Sequence, residues 1–221
     1  MEYDKALTSL IKEMFSKQAE IPPIFDDKIF TFNLLYFIFN SIKCRRIHLT
    51  SSTEPYSAVT VFLIMAEDGR KKIIKIEASE NNDKVFFKVY ADDEESADQF
   101  YEQITRRLEG VKKGLKGENR AVIGKYVEVL KLIDSALNAT LDKSIIREIY
   151  FHLANSREIL YKIYEAERFE PILLSMASAL EDLKKYGEDQ KLIEAEYNKL
   201  SINLLKWKSE IIGKITVLTA G

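Results

Sequence analysis

Few residues in this 221-residue chain are of the kinds that carry out chemistry. There are two histidines, His48 and His152, and one cysteine, Cys44. Histidine is the commonest acid–base group near neutral pH and a frequent metal ligand. Neither histidine has a cysteine or carboxylate at metal-ligand spacing. The acid nearest His152 is Glu148, one helical turn away, a pairing that is ordinary on a solvated helix face. Cys44 is flanked by Lys43, Arg45 and Arg46, which would favour a thiolate, but it closes a very apolar stretch in which cysteine packs as a small hydrophobe. One cysteine excludes an internal disulfide and points to a reducing, cytoplasmic setting.

The remaining chemical signatures are equally sparse. The eight glycines are scattered and form no phosphate-cradling loop, and neither a GxSxG elbow nor an HExxH pair is present. The acidic run Asp92-Asp93-Glu94-Glu95 has the charge for a cation, yet it sits where a helix N-terminus favours negative charge, and Asp92 with Glu95 fits a capping box. Asn138-Ala139-Thr140 has the form of a glycosylation acceptor, which carries no meaning in an intracellular chain. No catalytic, cofactor-binding or metal-binding residue is therefore assigned, and no cofactor is expected.

Two basic clusters and a set of aromatics remain. Lys43, Arg45 and Arg46 form the first cluster. Arg106, Arg107, Lys112, Lys113, Lys116 and Arg120 form the second. Brought together in space, such groups would hold roughly four to six phosphates. Against a nucleic-acid role stand the interspersed Glu109 and Glu118 and the lack of an aromatic–basic sheet motif. Tyr150, Tyr161, Tyr164, Tyr186, Tyr197 and Trp207 fall in the helical second half. Tyrosine and tryptophan suit protein interfaces because they bury area and keep a polar tip. Phe151 and Tyr161 lie off the main apolar stripe of their helix, so Phe151, Tyr161 and Trp207 are the candidate contact residues.

The totals agree with a globular protein of balanced charge. The apolar fraction is 46% and the net charge −2. Residues 1–116 carry 18 basic against 19 acidic groups and residues 117–221 carry 15 against 16, so neither half is a basic domain. With 24 Lys and 23 Glu but only four Gln, usage is of the charge-rich, amide-poor kind seen in hyperthermophile proteins. The most apolar stretch, Ile29–Ile42, is too short to span a membrane and includes Asn33, Asn40 and Ser41, so no membrane insertion is expected. Met1–Lys17 is amphipathic and acidic in places, unlike a secretory leader.

The elements that would position these residues follow from periodicity. Ala6, Leu7, Leu10, Ile11, Met14 and Phe15 fit one face of a helix that Pro22-Pro23 would end. A second helix, capped by Asp26 or Asp27, would run to about Ile42 with apolar residues all round. The period then becomes two. Arg46–Thr50, Ser57–Met65, Lys72–Glu77 and Lys84–Tyr90 read as four strands, with Asp68-Gly69 and Ser79–Asp83 as turns, giving an antiparallel meander. A helix from Asp92 to Leu115 would cover one face of it. Beyond Gly114–Gly117 only helical patterns occur: Arg120–Leu137, Asp142–Glu167, one begun by Pro171 and stopped by Gly187, and one from about Glu188. Short connections make these an up-and-down bundle of about four helices.

The expected architecture is thus α+β, with an α+β domain over residues 1–116 and a helical bundle over 117–221. The expected function is non-enzymatic: a protein-interaction or scaffold protein that binds a protein partner, or a second copy of itself, through the bundle. A nucleic-acid-associated factor using the basic clusters is the alternative, followed by an enzyme whose site is assembled from distant residues.

Overall fold

The computed structural model describes residues 14–42, 45–53, 56–65, 71–81, 84–164 and 170–220. The chain divides into two compact units between Gly114 and Leu115.

In the first unit, β1 (Phe15–Ile21), β2 (Arg45–Thr53), β3 (Tyr56–Met65), β4 (Lys71–Asn81) and β5 (Lys84–Ala91) form one antiparallel sheet in the order β1-β5-β4-β3-β2. The four expected strands pair as a meander, and β1 joins them as a fifth. This corrects the reading of a first helix extending to Pro22-Pro23. Ala6 to Ile11 lie outside the described residues, and Phe15–Ile21 is extended and paired with β5 from Phe15↔Ala91 to Ile21↔Val85. Pairing satisfies the edge that β5 would otherwise expose, and this partner, distant in sequence, outweighs the local helical period. The Asp68-Gly69 turn lies outside the described residues.

Strict alternation sorts the sheet's two faces. Ile74, Ile76 and Ala78 of β4 are buried together with Val85, Phe87, Val89 and Ala91 of β5, and the residues between them are polar or half-exposed. The buried face is covered by α1 (Lys28–Ser41), which packs on β3, β4 and β5, and by α2 (Glu94–Gly114), which packs on β1 and β5. Helix α1 is apolar around nearly its whole circumference, with Phe30, Phe32, Leu34, Leu35, Tyr36, Phe37, Ile38 and Phe39 all buried. Asp27 caps it by accepting the Phe30 N–H at 2.9 Å. Asp26 instead takes a left-handed backbone (φ 52°) in the turn before the helix.

Helix α2 is capped by Asp93, which accepts the N–H of Ser96 at 2.8 Å, in place of the expected Asp92–Glu95 box. Asp92 has a different role: its carboxylate accepts the Ile73 N–H at 3.0 Å, continuing the β4–β5 ladder one residue past the Ile74↔Ala91 pair. Across the sheet–helix layer, Phe87 stacks on Tyr101 with ring centroids 5.4 Å apart.

The second unit holds α3 (Arg120–Leu141), α4 (Ile146–Ile163), α5 (Pro171–Leu183) and α6 (Glu194–Thr219), with a short 3-10 turn at Gly117–Asn119. Helix α3 packs on α4 and α6, and α4 packs on α5. The Asn119 amide donates to the Leu218 carbonyl at 3.1 Å, and Tyr126 meets Tyr164 at 3.1 Å, so each pair runs start against end. This is the antiparallel, up-and-down arrangement.

Helix α6 begins at Glu194, later than the expected Glu188, because the preceding segment has other bonds to make. The Glu188 and Gln190 carbonyls accept the first free N–H groups of α4, from Arg147 and Ile146, at 2.9 and 3.0 Å. Among the described residues no helix is long and apolar enough to cross a membrane. Thr140 of the Asn-Ala-Thr sequence is buried within α3.

Candidate functional site

Among the described residues, the expected chemical groups do not assemble into a reactive site. Lys43 and Cys44 lie outside the described residues. Arg45, Arg46 and His48 are placed only as backbone positions in β2, with a register shift between Arg46 and His48. His152 is half-buried on α4 with the edge of Phe151 against it, ring centroids 5.5 Å apart, and its Nδ1 has no partner. Burial pushes its pKa below the ordinary value, with Glu148 opposing. Among the described residues no three His, Cys, Asp or Glu side chains gather closely enough to share a metal ion.

The second basic cluster is partly committed to structure. The Arg107 guanidinium donates to the carbonyl and hydroxyl oxygens of Ser41, at 2.9 and 2.6 Å, and so closes the C-terminal end of α1. Arg106 pairs with Glu102 one turn away at 2.6 Å. Lys112 and Lys113 are exposed in the last turn of α2, while Lys116 (exposed) and Arg120 (half-buried) belong to the second unit. The acidic run is likewise occupied. Lys72 lies 2.8 Å from Asp93 and, together with the Ser96 N–H, holds that carboxyl at about 2.

On the outer face of the sheet, Tyr90 donates to Glu77 at 2.8 Å, and the Lys75 ammonium contacts the same carboxylate. Lys75 and Lys88 sit over the Tyr90 ring at 5.1 and 4.8 Å from its centroid. Burial, then Glu77, pushes the Tyr90 phenol up to about 12. The cluster is internally satisfied and reads as cross-strand stabilisation of a wet face.

The aromatic candidates separate. Phe151 and Tyr161 are exposed on α4, as their position off the stripe implies. Trp207 is only 1% exposed and is a core residue, a correction to its place among the contact candidates. It follows Leu200 and Leu204 on the buried stripe, and its indole N–H is satisfied inside the bundle by Ser175 Oγ at 3.1 Å.

The bundle surface holds the two features most able to bind something. The first is the outer side of α6. Tyr197, Leu200, Leu204, Trp207, Ile211 and Ile215 form its buried stripe. The opposite side carries Ile202, 67% exposed, Leu205, 53% exposed, and the half-exposed Ile212, in the series Asn198, Ile202, Leu205, Ser209, Ile212, Thr216. Steps of four and three residues are those of a helix–helix seam.

The second feature is a cleft of about 510 Å³ between α5 and the start of α6. It exists because α5 presents Ser175, Ser178 and Ala179 to α6, side chains too small to fill the space between two helices. Leu183, Leu192 and Leu200 complete its floor. At one end Asp182 lies between Lys185, at 2.6 Å, and Lys199, at 3.8 Å. Nearby, Tyr186 donates to Glu196 at 2.6 Å, which raises the phenol pKa.

A third feature is internal. Lys208 of α6 and Asp134 of α3 form an ion pair whose side chains are 5% and 7% exposed. Sequence reasoning missed it because each residue reads as an isolated charge until two helices bring them together.

Comparison with known protein families, curated proteins and solved structures returns no match to this chain.

Proposed function

We propose that this is a non-enzymatic protein-interaction or scaffold protein whose helical bundle docks a second copy of the chain along α6. The observation that carries the reading is the second apolar stripe of that helix. A helix with one buried face has no packing use for Ile202, Leu205 and Ile212 on the other, and apolar residues at seam spacing lose less by pairing than by hydration. A second copy fits because the seam is self-complementary when run antiparallel. Ile202 then meets Ile212 of the other copy, and Leu205 meets Ser209, about a two-fold axis.

The nucleic-acid alternative draws less support, because Arg106 and Arg107 are engaged with Glu102 and Ser41. An enzymatic reading draws little from clusters whose carboxylates are each already paired.

Light scattering on the eluting protein tests the proposal. At about 100 µM, a dimer with a Kd near 1 µM is about nine-tenths assembled, and the mass should be twice 25.6 kDa. The double variant Ile202→Glu/Leu205→Glu should return the monomer mass with unchanged helical circular dichroism. A wild-type chain that stays monomeric at that concentration refutes the proposal.

A further inference from the structure

The α5–α6 cleft has the makings of a ligand site distinct from the α6 seam, whose residues point to the opposite side of that helix. Its volume of about 510 Å³ lies within the range of roughly 300–1,000 Å³ typical of small-molecule sites. The floor, from Ala179, Leu183, Leu192 and Leu200, is apolar. Its charged lining sums to zero, with Lys185 and Lys199 balancing Asp182 and Glu196, and both acids already hold partners. These charges stay hydrated at the rim (Lys199 is 74% exposed) and cancel, so they give a charged ligand no net attraction to offset the hydration it would lose over the leucine floor.

The far end differs. The Ser178 hydroxyl and the Asn203 amide make no hydrogen bond within the protein, and Ser175 Oγ only accepts one, from Trp207. These groups supply donors and an acceptor for a neutral polar terminus. We infer that the cleft binds a small uncharged molecule, apolar along the leucine floor and ending in an amide or alcohol held by Ser175, Ser178 and Asn203.

The protein contains its own reporter. Trp207, the single tryptophan, is bonded to the cleft wall through Ser175, so a bound ligand that engages that serine alters the indole environment. The test titrates full-length protein with 4-phenylbutyramide, and in parallel with 4-phenylbutyrate and 4-phenylbutylamine. Binding is followed by saturation-transfer NMR and by Trp207 emission. The amide should saturate with a Kd of about 1 mM or below, and the carboxylate and amine should bind at least about tenfold more weakly. Filling the floor with Ala179→Phe should abolish binding. Ser178→Phe, at the exposed rim, does the same by a route that leaves the core untouched and stands in if the first variant fails to fold. Absence of saturation by any of the three probes overturns the inference. So does equal binding of charged and neutral probes, or amide binding that survives a cleft-filling variant whose circular dichroism is native.

Discussion

Replacing one member of the Asp134–Lys208 pair should damage the bundle far more than replacing both. The two side chains are 5% and 7% exposed, so water does little to screen them. Lys208→Met leaves the Asp134 carboxylate buried opposite a thioether, and Asp134→Leu leaves the ammonium beside a hydrocarbon. Each change should cost about 3–5 kcal/mol, the usual penalty for removing one partner of a buried ion pair. The double variant Asp134→Leu/Lys208→Met removes both desolvation costs and keeps the volume filled. It should lie between neutral and about 1–4 kcal/mol more stable than wild type. The sum of the two single losses, about 6–10 kcal/mol, then differs from the double by a large coupling energy. Urea unfolding read by tryptophan emission reports this unit specifically, because Trp207 neighbours Lys208 and is the only tryptophan. With a urea slope near 2 kcal/mol per M, each single variant should move the midpoint down by roughly 2 M. Single variants costing less than about 1 kcal/mol would show the pair to be effectively solvated. A double variant as unstable as either single would show that the charges hold other groups in place, and either result refutes the reasoning.

Two further outcomes follow from the first unit. Asp93→Ala should cost about 1 kcal/mol at pH 7 by removing the α2 cap and the Lys72 partner. Because the folded carboxyl is held at about 2, below its ordinary 3.8, its stabilisation is complete above pH 4 and fades between pH 4 and 2. Wild type and variant should therefore converge there in urea unfolding followed by circular dichroism. In an alkaline spectrophotometric titration, at least two of the eleven tyrosines should ionise later than ordinary phenols. Burial and Glu77 hold Tyr90 to about 12, and burial and Tyr164 push Tyr126 up further. The stabilisation from Tyr90 is present below pH 10 and lost as pH rises through 12, and Tyr90→Phe should remove one late-ionising group.

Periodicity was a good guide wherever one face of an element is buried. The alternation of Lys84–Tyr90 and the stripe of Ala97, Phe100, Ile104 and Leu108 identify their elements and inward faces directly, because burial is what imposes the period. It failed where partners distant in sequence decide. Phe15–Ile21 is a strand because β5 offers an edge 70 residues later, which no local pattern announces. Residues 188–190 are not helical because their carbonyls satisfy α4. Trp207 reads as an interface candidate until Ser175 supplies its hydrogen bond. The seam on α6 was in principle legible, since Ile202, Leu205 and Ile212 stand outside the stripe of Leu200, Leu204 and Ile211. Two interleaved apolar stripes, however, blur into a helix that is apolar on most sides. The cleft was not legible, because it arises from what Ser175, Ser178 and Ala179 lack.

Helix α6 concentrates these features because one 26-residue helix offers three arcs. One arc, through Leu204, Lys208 and Ile211, belongs to α3 and holds the buried pair. A second, through Glu196, Leu200 and Asn203, walls the cleft. The third, through Ile202, Leu205 and Ser209, faces solvent. At 100° per residue these arcs are separate enough that a substitution on one leaves the others intact. Leu205→Glu should therefore abolish self-association without affecting amide binding, and Ser178→Phe should do the reverse. Any cross-effect would have to travel through Trp207, the residue whose indole sits in the core and whose hydrogen bond reaches the cleft. Replacing it with phenylalanine would free Ser175 Oγ as an acceptor while leaving the seam unaltered, so an altered dimer mass in that variant would mean that core and seam are coupled.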